Sequence, residues 1–189
     1  MKYSLIALAL AAALPLSAHA SDLKYNFVEA DYARTNAFGT TLDGYKVKGS
    51  AAFGDDFYGI GSYGRVSKSG GDFTEGTVGL GYRHAISDKA SWDSDLSYVS
   101  DKVSASGGGS FNDNGYRIAT GVRGMLSDKL EGNLNVNYTD VNNFGNGVGG
   151  GIGAVFHIND MWGITGGYDY SKRETTNLNT WTVGVRASF

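Results

Sequence analysis

The sequence contains no cysteine, so no disulfide framework constrains it, even in an oxidising compartment. Its one proline is Pro15; beyond residue 20 every backbone N–H is available to a sheet ladder. No stretch after residue 20 approaches the ~20 consecutive apolar residues that a membrane-spanning helix requires. A net charge of −3 is too mild to point to nucleic acid as a partner. No cluster of Cys, His or acidic residues has metal-ligand spacing, so neither a metal nor a cofactor is expected.

What is present begins with an export signal. Lys2 supplies a positive start, Leu5 to Leu14 an apolar run, and Ala18-His19-Ala20 a small-x-small cleavage site. Cleavage after Ala20 is expected, leaving Ser21 first in a single domain spanning 21–189.

The rest of the chain alternates with a period of two, the signature of strands whose faces meet different surroundings. Ten strands are expected: Tyr25–Arg34, Asp43–Phe53, Phe57–Val66, Thr74–His84, Ser91–Asp101, Asn114–Met125, Leu130–Asp140, Gly147–His157, Met161–Lys172 and Asn179–Phe189. In the last, Trp181, Val183, Val185, Ala187 and Phe189 share one face. Connections at 54–56, 85–90, 126–129 and 158–160 read as tight turns. Those at 35–42, 67–73, 102–113, 141–146 and 173–178 read as longer loops, with 102–113 the longest and mobile. An even strand number with short turns at one end and long loops at the other predicts a closed antiparallel up-and-down transmembrane β-barrel. Both termini are then periplasmic and the long loops external.

Charge decides which face points inward. The polar faces carry Glu29, Asp31, Glu75, Asp93, Asp95, Glu131 and Asp169 against Lys46, Lys48, Arg65, Arg83, Arg117, Arg123 and Arg186. Opposite signs fall on neighbouring strands: Glu29 and Asp31 beside Lys46, Lys48 and Arg186; Arg65 beside Glu75; Arg83 beside Asp93 and Asp95; Arg117 and Arg123 beside Glu131. Buried charges persist when paired, so these fourteen residues are expected to form a charge network filling the lumen. The third strand is diluted by Gly59, Gly61 and Gly64; Tyr58, Ile60 and Val66 are placed outward there, Tyr63 and Arg65 inward. The other face is apolar, with Trp92, Trp162, Trp181, Tyr58, Tyr98, Tyr138, Tyr168 and Phe189 near strand ends, as interfacial girdles require. A soluble lipocalin-like barrel would instead turn its apolar face inward.

Enzyme chemistry finds little support. His84 and His157 end strands at the periplasmic rim, without a nucleophile or acid arranged as a triad. The glycine run from Gly147 to Gly153 lacks the Lys-Ser/Thr and helix of a phosphate loop. Gly149, Gly151 and Gly153 are expected to make room for large lumenal side chains opposite, and any water-filled path should run beside them.

The final segment, with Trp181, Val183, Val185, Ala187 and Phe189, resembles the C-terminal assembly signal of bacterial outer-membrane barrels. The stretches 25–36 (YNFVEADYARTN), 43–50 (DGYKVKGS) and 78–84 (VGLGYRH) resemble a family of small outer-membrane barrels from xanthomonad bacteria, proposed as quorum-sensing factors and immune elicitors. These resemblances imply a Gram-negative outer-membrane location and surface, vesicle or biofilm roles. They also imply outer-membrane lipid, periplasmic chaperones and the barrel assembly machinery as partners. The expected function is envelope structure or surface interaction by a monomer, with a host or cell-surface partner met through loops 35–42, 67–73 and 102–113. A narrow porin-like channel is the alternative, and a lipid-modifying enzyme ranks below it.

Overall fold

The computed structural model describes residues 23–37, 39–105, 107–173 and 176–189. The expected signal segment, with Ala18, Ala20 and Ser21, lies outside the described residues.

Ten antiparallel strands close into a barrel: β1 (Phe27–Ala37), β2 (Thr40–Phe53), β3 (Phe57–Lys68), β4 (Gly71–Ser87), β5 (Ala90–Ala105), β6 (Ser110–Ser127), β7 (Leu130–Val141), β8 (Gly145–His157), β9 (Trp162–Arg173) and β10 (Thr176–Ser188). Each strand pairs with its sequence neighbours, and β1 seals the ring against β10, from Phe27 opposite Ser188 to Ala37 opposite Leu178. Closure leaves no unpaired edge, which is the condition for placing strands in a solvent that offers no hydrogen bonds.

All ten strands fall where the alternation puts them, but most run longer. Residues 35–42, expected as a loop, are strand except around the connection after Ala37. The stretch 102–113, expected to be the longest and most mobile loop, is largely β5 and β6, paired from Lys102 opposite Asn112 to Ser104 opposite Ser110. The small and polar residues that suggested a loop keep their ladder because the neighbouring strand supplies the hydrogen bonds. With connections short at both ends, loop length no longer tells one rim from the other. Register does: Ser110–Asn114 of β6 stay paired to β5 past the last β6–β7 pair, Gly115 opposite Val141, so the β5–β6 hairpin projects at the end away from the termini, whereas the excess of β4 over β3, Arg83–Ser87, lies at the other end. The end away from the termini is called here the far end, and the other the terminal end.

The outer wall is apolar through its middle. Val47, Val78, Leu80, Leu96, Ile118, Val136, Ile152, Ile164, Val183 and Val185 are all exposed on it. Tyrosines gather toward the far end of this band: Tyr32, Tyr45, Tyr63, Tyr98, Tyr116, Tyr138 and Tyr170. Phe53, Phe57, Tyr82, Trp92, Phe156, Trp162 and Phe189 gather toward the terminal end. Charged outward residues (Arg34, Asp43, Arg65, Asp72, Lys102, Asp140 and Lys172) all stand at or beyond the tyrosine rim.

One strand has the opposite phase to that expected. In β3, Tyr58, Ile60 and Val66 face the lumen and Tyr63 and Arg65 face outward. Its glycines give its own sequence almost no amphipathic signal, so its neighbours set the phase. Tyr58 lies opposite Ala52 of β2 and Gly81 of β4, both lumenal, and a β-carbon at Gly81 would fall inside the Tyr58 ring. The missing side chain at 81 is the pocket that draws Tyr58 inward.

Candidate functional site

The lumen is where the chain concentrates its charge, and it is built in layers. At the terminal end Glu131 of β7 is fully buried and holds three cationic or titratable partners. Arg123 of β6 grips it through two nitrogens, at 2.6 and 3.0 Å. Arg186 of β10 reaches across the lumen to the same carboxylate at 3.0 Å and joins Glu29 of β1 at 2.8 Å. The His157 ring lies 3.2 Å away. Such bidentate, charge-assisted pairs offset part of the desolvation of burying ions.

Below this layer the chain ahead of β1 turns into the mouth. Leu23 and Tyr25 are buried with Tyr58 and Met125 in an apolar cluster. The strand expected from Tyr25 begins instead at Phe27, because Tyr25 leaves the ladder to enter the lumen. Its hydroxyl is 2.6 Å from both Ser91 Oγ and the Asp93 carboxylate, donating to the latter. Guanidinium groups cover the two rings: Arg83 lies 4.4 Å from the Tyr25 centroid and Arg186 lies 4.3 Å from that of Phe27. Arg123 Nη2 also donates to the Lys24 carbonyl at 2.9 Å. The terminal mouth is thus stoppered by the protein's own leading segment.

A second layer crosses the lumen near the far end. Arg117 of β6 donates to both oxygens of Glu75 of β4, at 3.2 and 2.7 Å. Arg173 of β9 pairs with Asp101 of β5 at 2.6 Å and approaches Glu75 at 3.5 Å. Beyond it, the buried Asp113 carboxylate accepts the backbone N–H groups of Asn143 and Phe144, at 2.5 and 3.0 Å, and ties the β7–β8 connection to β6.

Between the layers lies a chamber of about 240 Å³, lined among others by Lys46, Lys48, Asp93, Asp95 and Asp169. A second void of about 150 Å³ toward the far end and a third of about 100 Å³ beside β8 and β9 share Lys46 and Asp169 with it. Each has room and polar partners for water. Of the glycine track, the third void touches Gly153 alone. Gly149, Gly151 and Gly153 lie under Asn137, Asn135 with Asp169, and Asn133, so closely that a β-carbon at any of them would collide with those side chains.

Of the fourteen charges expected inside, thirteen face the lumen side of their strands. Arg65 does not: it stands on the outer wall paired with Asp72 at 2.7 Å, and Glu75 takes Arg117 and Arg173 instead. Arg83 sits opposite Asp93 in the ladder, yet its guanidinium covers Tyr25 and donates to the Asp55 carbonyl at 2.8 Å. Lys46 and Lys48 lie opposite Asp31 and Glu29, but no direct ion pair joins them among the described residues; the chamber takes their side chains. Sequence reasoning missed Asp101, Arg173, His157 and Asp113 as lumenal partners. Asp101 closed its expected strand and Arg173 fell one residue past its own, although alternation continued from Asp95 and Asp169 places both inward. Trp181, Val183, Val185, Ala187 and Phe189 lie together on the outer wall, and His84 is outward and exposed, far in direction from His157.

No family model and no curated relative matches this sequence. Among solved structures it is similar to the NanC porin, at 11% identity over 85% of this chain and 100% of that one, with a TM-score of 0.52. It is similar also to the KdgM porin, at 16% identity over 85% and 99%, with a TM-score of 0.50. Ail, the attachment invasion locus protein of Yersinia pestis, aligns at 19% identity over 86% and 95%, with a TM-score of 0.42. At these identities the likeness extends to the fold and no further, a closed all-β antiparallel barrel.

Proposed function

We propose that the chain is a Gram-negative outer-membrane β-barrel with a sealed lumen, periplasmic termini and an outward-projecting far end. It serves envelope structure or surface interaction (adhesion, biofilm or signalling) rather than catalysis. The observation that carries this reading is the inside-out distribution of polarity: paired ions in the lumen, an apolar band with aromatic rims outside. The far end carries the outward charges and the projecting β5–β6 hairpin, which supports placing it in the outer aqueous phase. Lipid, periplasmic chaperones and the assembly machinery are the partners this placement calls for, and a host or cell-surface partner would meet the far end. The resemblance of 25–36, 43–50 and 78–84 to the xanthomonad family favours the same surface role.

A narrow channel is the second reading, favoured by the three adjoining voids around Lys46 and Asp169. Planar-bilayer recording of the refolded protein separates the two. The sealed barrel gives no stable single-channel steps; reproducible steps would transfer the function to transport.

A further inference from the structure

One concavity lies outside the barrel. A groove of about 640 Å³ lies on the outer wall of β3–β6 above the tyrosine rim. Its floor is made of small side chains, Thr74, Gly76, Ser100 and Ser104, and its edges of Arg65, Asp72, Lys102 and Asn112. Arg65 is neutralised by Asp72, whereas Lys102 stands opposite Thr74 and Asn112 and has no acidic partner within ion-pair distance among the described residues.

Height fixes what can occupy this groove. Val78 is the last apolar outward residue of β4, and Thr74 and Asp72 stand four and six positions beyond it. At ~3.3 Å per residue and a tilt of about 45°, they lie roughly 9–14 Å above it, at and just beyond headgroup level. An aqueous solute would compete there with the lipids packed against the same wall. A single unpaired ammonium above a floor of hydroxyl groups, with amide donors beside it, matches a phosphate carried on a sugar. The hydroxyls and Asn112 can hydrogen-bond sugar oxygens while Lys102 neutralises the anion.

We propose that this groove is a lateral site for the phosphorylated sugar headgroup of a membrane glycolipid, with Lys102 as its anion-binding residue and Thr74, Ser100 and Asn112 as sugar contacts. The proposal rests on the outer-membrane reading above, and insertion into vesicles tests that reading separately.

The experiment reconstitutes the refolded full chain into phosphatidylcholine vesicles, with or without a bisphosphorylated glucosamine-disaccharide lipid. Native mass spectrometry after gentle detergent extraction counts the glycolipid retained. The wild type is expected to retain the glycolipid over phosphatidylcholine. Lys102→Ala should reduce retention about tenfold, the scale of one charge-assisted hydrogen bond, and Lys102→Arg should restore it. Lys172→Ala, an exposed outward lysine at the far end of β9, should leave retention unchanged. Equal retention by the wild type and Lys102→Ala, or equal loss on Lys172→Ala, overturns the site while leaving the barrel reading intact. Failure of every variant to insert overturns the barrel reading instead. Displacement of the lipid by free inorganic phosphate at equal concentration would overturn the lipid as the occupant.

Discussion

Substituting arginine at two consecutive positions of β7 tests the orientation on which everything else depends. Leu134 faces outward in the middle of its strand, between Val122 of β6 and Ile152 of β8, both also outward. Asn135 faces the lumen, where it lies with Asp169 against Gly151. Arginine on the lipid face at mid-bilayer costs about 2–4 kcal/mol. At 1.36 kcal/mol per decade, that is roughly a 30-fold to 900-fold loss in the folded-to-unfolded ratio. At 135 the same guanidinium enters a polar chamber with an acidic neighbour, where the cost is set by crowding and by Lys46 and Lys48. We expect less than about 1.5 kcal/mol there, the scale of a tolerated volume change. The assay is reversible urea unfolding in phospholipid vesicles, read by tryptophan fluorescence and by heat-modifiable gel mobility. Leu134→Arg should lower the midpoint steeply and Asn135→Arg only slightly. Equal effects would mean that the two residues do not see different solvents. A harmless Leu134→Arg with a damaging Asn135→Arg would identify a water-soluble barrel.

Three further outcomes follow from the layers. Glu131→Ala strands Arg123 in the lumen and leaves Arg186 with Glu29 alone, and should cost about 3–5 kcal/mol in the same unfolding assay, whereas Lys46→Ala, which breaks no direct ion pair, should cost far less. A stability loss of similar size for both would contradict the layered network. Gly81→Ala should clash with the Tyr58 ring, and Tyr58→Ala should relieve it, so a double-mutant cycle is expected to show a favourable coupling of at least about 1 kcal/mol; strict additivity would place Tyr58 elsewhere. Asp113→Ala removes the acceptor that holds Asn143 and Phe144, so amide exchange at those residues should accelerate while the urea midpoint moves by no more than about 1 kcal/mol.

The sequence alone determined the number of strands, the order of their pairing and the inward face of nine of them, because a period of two is a local property that each segment writes for itself. Leu130, Leu134, Val136 and Tyr138 against Glu131, Asn133, Asn135 and Asn137 need no partner to be read. Where the local signal failed, in β3, the register of Ala52, Tyr58 and Gly81 decided the phase, and that register exists only once three strands lie side by side. The same holds for the ion pairs. Arg123 with Glu131 joins neighbouring strands and was legible; Glu75 with Arg117 skips a strand, and Arg173 with Asp101 and Arg186 with Glu131 cross the lumen, because closing the ring brings distant walls within reach. Tyr25 in the mouth and the groove beside Lys102 are likewise products of closure and projection, which no single strand encodes.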